Sequence, residues 1–279
     1  MGTLLALLAA AGFGVSDVTG AVAARRASAL TVTLGIQATG MVVLVPALWV
    51  IAGTSSTQAL LLGGLAGGLG AIGLVIYLRA MAVGPIGVIS PVSALVGAGV
   101  PVGWGVALLG EQIGARQVTG ILLGLLAVGA VAYVPGSSLR SDGARGVLQA
   151  LLAGVAFGLF FVALNATPSG SGLWPLLGAR TVAIVVLLTA VLLRRRPLVP
   201  RGVGGLVVVS GVGDMVANAL FLAATRVGLL SLVSLLTSLY PVIALLVARW
   251  WLQERLTGTQ AAGVLAALLA TALLAGGGG

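Results

Sequence analysis

The sequence contains no cysteine and no histidine, and all fourteen of its cations are arginines, so lysine is absent as well. Without cysteine there are no disulfides, thiolate nucleophiles or cysteine metal sites. Without histidine the commonest general base and metal ligand is missing. A Walker A phosphate loop needs a lysine, so ATP-driven transport by this chain alone is not expected. Acidic residues number only five, scattered along 279 positions. A membrane enzyme such as a lipid-linked transferase would need clustered acidic metal ligands, so no enzyme, metal or cofactor is expected. Charged residues make up 7% of the chain, against about 25% in an ordinary soluble domain.

What is abundant is apolar: 59% of residues, with a mean hydropathy of +1.22. No ionised side chain occurs between Arg26 and Arg79, or between Arg145 and Arg180. A hydrocarbon core about 30 Å thick takes about 20 apolar residues per helix. Apolar runs bounded by charge, Gly or Pro predict ten transmembrane helices, over 3–24, 29–51, 58–78, 85–108, 117–135, 146–165, 172–193, 203–225, 229–250 and 259–276. The fold class expected is an all-α, multi-pass integral membrane protein, in the cell (inner) membrane. The first run lacks the preceding basic residues of a signal peptide and is taken as the first helix. The pI near 11.8 comes from arginines set singly or in short runs between apolar segments. They are read as loop charges beside anionic membrane lipids, not as a nucleic-acid surface.

The chain is internally duplicated. SALTVTLGIQ (28–37) matches SGLWPLLGAR (171–180) at an offset of 143, which pairs Gln37 with Arg180. Phe13-Gly14 recurs as Phe157-Gly158, Val83-Gly84 as Val227-Gly228, and Ser90 as Ser234, all at 144. Glu111, Gln117 and Gly120 recur as Glu254, Gln260 and Gly263. The expected units are repeat 1 (1–135), a connecting loop (136–145) and repeat 2 (146–279). Five helices per repeat is an odd number, so the second must enter the membrane in the opposite sense, giving an inverted repeat with a solute site near the midplane between halves. Glycine is about twice its usual share, and spacings of four in GGLAGG (63–68), Gly99/Gly103 and Gly120/Gly124 are read as helix-packing positions.

These features resemble the ten-helix EamA-like group of the drug/metabolite transporter superfamily. The resemblance rests on LLGEQIGARQVTGILLG (108–124) and WLQERLTGTQAAGVLAA (251–267), each with a Glu at a turn followed by Gln and Gly six and nine residues later. The proline-bearing YPVIALLVARWWL (240–252) before the second Glu fits the same pattern. The resemblance covers essentially the full chain. It implies secondary transport of a small metabolite or drug, often export, and names no solute. A channel or non-transporting membrane scaffold is the alternative. One departure concerns charge: family members commonly carry basic residues before helix 1 and between helices 2 and 3, where this chain has MGT and AGTSSTQ. Arg25, Arg26, Arg79, Arg140, Arg145, Arg194, Arg195, Arg196, Arg201, Arg249 and Arg255 lie in the odd-numbered connections, and only Arg116 and Arg226 in the even ones. The positive-inside rule therefore predicts both termini outside.

Polar groups at membrane depth are costly, about 2.5–3.5 kcal/mol for a charge at a helix centre, and mark the candidate site. They are Asp17 beside Ser16 and Thr19, Gln37, Arg180, the stripe Ser210/Asp214/Asn218 at i, i+4 and i+8, Ser90, and Ser231/Ser234/Ser238. Arg180 and Asp214 fall at similar depth and are expected to interact. Asp17, roughly 10 Å from the inner end of its helix, is expected to couple transport to protons or to hold a cationic group of the solute. Each has a plainer reading. Ser and Thr in membrane helices most often bond their own backbone. Glu111 and Glu254 are read as structural, favouring the dipoles of the helices they open. Asn165 reads as a helix-end residue, and the five tryptophans as interfacial anchors. Oligomeric state is not legible in the sequence.

Overall fold

The computed structural model describes residues 1–83, 86–111, 114–132, 141–252 and 258–275. The helices are α1 (Gly2–Arg26), α2 (Ala29–Val50), α3 (Thr57–Val83), α4 (Ile86–Leu108), α5 (Ala115–Ala132), α6 (Ser141–Asn165), α7 (Trp174–Leu193), α8 (Gly204–Thr225), α9 (Leu230–Thr237), α10 (Tyr240–Leu252) and α11 (Gly258–Ala275), with one 3₁₀ turn at Ser169–Ser171. No strand occurs among the described residues. Among the described residues eight segments are long and apolar enough to cross a membrane, α9 and the start of α10 together forming one of them. The helices α5 and α11 pack on each other. These helices are apolar all round, which water would not tolerate and lipid requires, since only a helix pairs its backbone groups within the segment. Leu61, Leu126, Val185 and Leu265 point outward accordingly, and Trp49 and Trp250 are exposed near helix ends, as anchors should be.

The contacts establish the inversion directly. The helices α1 and α8 run antiparallel, Ser16 meeting Ser210 while Gly12 meets Ala217. Their repeat mates α6 and α3 do the same, Gly73 meeting Ala156 while Gly70 meets Phe160. The pair α3 and α7 runs parallel (Gly63 at Pro175, Gly67 at Ala179), as does its mate pair α8 and α2 (Gly211 at Thr39, Gly35 at Val207). Across the centre α2 and α7 are antiparallel, Gln37 meeting Arg180 and Gly53 meeting Gly172. Followed round, these directions set α1 against α6, α2 against α7 and α3 against α8. Every repeat mate so compared points the opposite way.

Three expectations need correction. The predicted ninth helix is two, meeting at Ser238–Leu239 just before Pro241. Proline has no N–H to continue the ladder, and the turn tightens around it: Leu239 N–H bonds Leu236 O at 3.3 Å and Val242 N–H bonds Leu239 O at 2.9 Å, both three residues back. The helix α6 begins at Ser141, five residues before the expected start; 133–140, the end of the predicted fifth helix and the first half of the connecting loop, lie outside the described residues. Finally, glycines at equal spacing have unequal roles. A side chain on Gly63 or Gly67 would run into the carbonyls of Pro175 or Ala179, whereas Gly99 and Gly103 have no neighbour among the described residues within 4 Å of where a Cβ would sit.

Candidate functional site

Where the repeats meet, a cavity holds about 810 Å³ of empty space, its open mouth included. Its wall draws on α1, α2, α3, α4, α6, α7, α8 and the α9–α10 break. Asp17, Gln37, Arg180, Asp214, Asn218 and Ser238 all line it. Ser90 and Ser234 are buried but not on its wall, and with Ser231 their hydroxyls lack a partner.

Asp17 is aimed by its neighbours in α1. Ser16 Oγ donates to Ser210 O at 2.9 Å and Ser210 Oγ donates to Ser16 O at 2.9 Å, a reciprocal clamp that fixes α1 against α8. Thr19 bonds back to Val15 O and Ser16 O, the local role expected of it. The carboxylate then receives Tyr77 Oη at 2.5 Å. Tyr77 is buried, its ring edge-on to Phe157 at 5.6 Å.

Arg180 is buried, 4% exposed, and does not stand alone. One guanidinium nitrogen donates to Asp214 Oδ2 at 2.5 Å and the other to Gln37 Oε1. Gln37 is the repeat mate of Arg180, so the duplicated position bonds its own copy across the centre of the molecule. Gly40 makes room, since a Cβ there would collide with the guanidinium. One turn beyond Asp214, Asn218 Nδ2 donates to the Asp214 carbonyl at 2.7 Å. Ser238 Oγ donates to Leu235 O at 2.7 Å and helps close the end of α9.

Sequence reasoning missed the aromatic wall of Phe13, Phe157, Phe160, Phe161 and Tyr240, and Tyr77 behind it. The signal was present in part: Phe13 and Phe157 are the duplicated Phe-Gly pair, and both copies reach the same cavity. Their rings engage edge-on, Phe13 with Phe161 at 6.1 Å and with Tyr240 at 6.4 Å.

Glu111 acts elsewhere than expected. Its carboxylate accepts from the backbone N–H of Leu230 at 2.7 Å and Ser231 at 3.1 Å, so it caps α9 in the other repeat rather than the α5 helix beside it. Glu254 lies outside the described residues. On the same side of the bundle Arg226 donates to Thr167 O at 2.8 Å, Thr167 Oγ1 at 2.6 Å and Asn165 O at 3.4 Å, tying the end of α6 to the end of α8. Partial burial pulls its guanidinium pKa below the usual range.

Residues 144–276, essentially the second repeat, match the model of the EamA-like transporter family. A solved crystal structure described only as that of a protein is similar over 98% of both chains, with a TM-score of 0.69 and 18% identity, a likeness of fold. No curated protein matches the sequence.

Proposed function

We propose that this chain, which belongs to the EamA-like transporter family through its second repeat, is a proton-coupled exporter of a small solute. The family makes it a membrane transporter of the drug/metabolite type. Export, proton coupling and the cell membrane as its location are the finer reading. The observation that carries it is the cavity between two inverted halves, walled by two carboxylates, Asp17 and Asp214, and one guanidinium, Arg180. Arg180 is taken by Asp214. Asp17 is left as a carboxyl whose charge no cation on that wall cancels, and a proton or a cationic solute can do so in turn. Inverted halves rocking about a midplane site would expose it first to one side and then to the other.

The test begins with an untargeted comparison of solutes inside cells and in the medium, with the chain present or deleted. Any solute depleted outside on deletion is then taken to proteoliposomes. Saturable counterflow, with accumulation driven by a pH gradient, is the expected result. Unsaturable flux would mean a channel, and no flux at all a scaffold.

The arginine distribution supports termini outside and the Arg194–Arg196 loop in the cytosol. A phosphatase fused after Gly279 is expected to be active and a fluorescent protein fused there dark. The reverse pattern would invert the orientation.

A further inference from the structure

We infer that Asn218 is a solute-binding residue, accepting a hydrogen bond from an ammonium group on a solute with an aromatic or apolar body. The inference rests on the transport reading and names the chemistry of its cargo.

Asn218 is 5% exposed and lines the cavity. Its Nδ2 faces the Asp214 carbonyl, so turning the amide over would set two acceptors against each other. The orientation is therefore fixed, and Oδ1 has no partner. Unlike the hydroxyl of Ser93, also unpartnered on the wall, an amide oxygen can only accept. Leaving such an atom buried and unpaired is costly, because it has given up its hydration with nothing in return. The oxygen itself has almost no surface open to the cavity, so an entering N–H donor reaches it through a small shift of the side chain.

Charge points the same way. When Asp17 is ionised, the lining residues described carry one carboxylate more than they have cations, which favours a cation over an anion. A solute carboxylate would find Arg180 already bonded to Asp214 and Gln37. The remaining wall is aromatic, and the faces of Phe and Tyr rings attract a cation as well as an apolar body. Three donors, one positive charge and a hydrophobic body describe a lipophilic primary amine.

The experiment is calorimetric binding to the full chain in lipid nanodiscs, with three probes of one shape: phenethylamine, 2-phenylethanol and 3-phenylpropionate. The amine is expected to bind at least about tenfold tighter than the alcohol, as a hydrogen bond to a charged group warrants, and the acid not at all. Asn218→Leu should lose about tenfold for the amine and little for the alcohol, while Asn218→Asp, which keeps the acceptor, should retain the amine. Equal affinity for amine and alcohol, binding of the acid, or no binding of the amine overturns the inference, even if Asn218→Leu fails to fold. Failure of the transport reading is separate: amine binding without counterflow rejects transport and keeps the site, while counterflow of a solute that is not an amine rejects the site and keeps transport.

Discussion

Asp17→Asn is expected to fold normally, to retain solute exchange, and to lose pH-driven accumulation down to the level of protein-free vesicles. The substitution changes the shape of the side chain little, and the asparagine oxygen can still accept from Tyr77 Oη, which donates to Asp17 at 2.5 Å in the wild type. What it removes is the ability to gain and lose a proton. A carrier that releases a proton to one side and takes one from the other at Asp17 would be held in the equivalent of its protonated form. Such a carrier can still swap solute for solute, because exchange requires no net change in charge at the site. The pH dependence of exchange should flatten too, since the group that titrates is gone. Tyr77→Phe provides the control. It removes the hydrogen bond but keeps the carboxyl, so accumulation should persist with a shifted pH profile. The measurements are gradient-driven uptake and counterflow in the same proteoliposomes. An Asp17→Asn protein with unchanged rate and pH profile would leave Asp17 without a coupling role.

The sequence made the charged part of this site legible because charge has contrast there. In helices that are apolar on every side, Asp17, Arg180 and Asp214 stand out, and the cost of placing them in lipid demands a partner or a wet cavity. The aromatic wall had no such contrast: a phenylalanine facing the cavity and one facing lipid read alike. The same blindness covers the glycines. Gly63 and Gly67 lie against α7 and Gly99 and Gly103 meet nothing among the described residues, yet their spacing is identical, and with both faces of a helix apolar the periodicity that marks a core in water is missing. Proline was also an incomplete guide. Pro46, Pro91 and Pro101 sit inside continuous helices, while Pro241 follows a break, so tertiary packing decides which proline interrupts. Glu111 was misassigned because its partners lie 119 and 120 residues away, across the repeat boundary. A turn read locally offers only the helix that follows it.

Asp214→Asn is expected to be the most damaging single change at the site, costing about 3–5 kcal/mol of stability, because it strands a guanidinium that is 4% exposed. Gln37 would still accept one hydrogen bond from Arg180, but an amide oxygen cannot cancel the charge. Arg180→Gln is expected to be milder. It places a glutamine opposite its repeat mate Gln37, where two neutral amides can bond, and Asp214, with its side chain 15% exposed, can be hydrated from the cavity. The double variant removes both charges together. Since desolvation offsets much of the attraction in a buried pair, it should recover most of what Asp214→Asn loses, about 2 kcal/mol or more of coupling. Thermal unfolding of purified protein in detergent gives the order, and counterflow of the same samples separates folding from transport. If the charges serve only to join the halves, the double variant should transport as well as it folds. If Arg180 also positions Asp214 for the solute, stability should return while transport does not. A double variant no more stable than Asp214→Asn alone would mean that the two residues are not energetically coupled, despite the 2.5 Å contact between them.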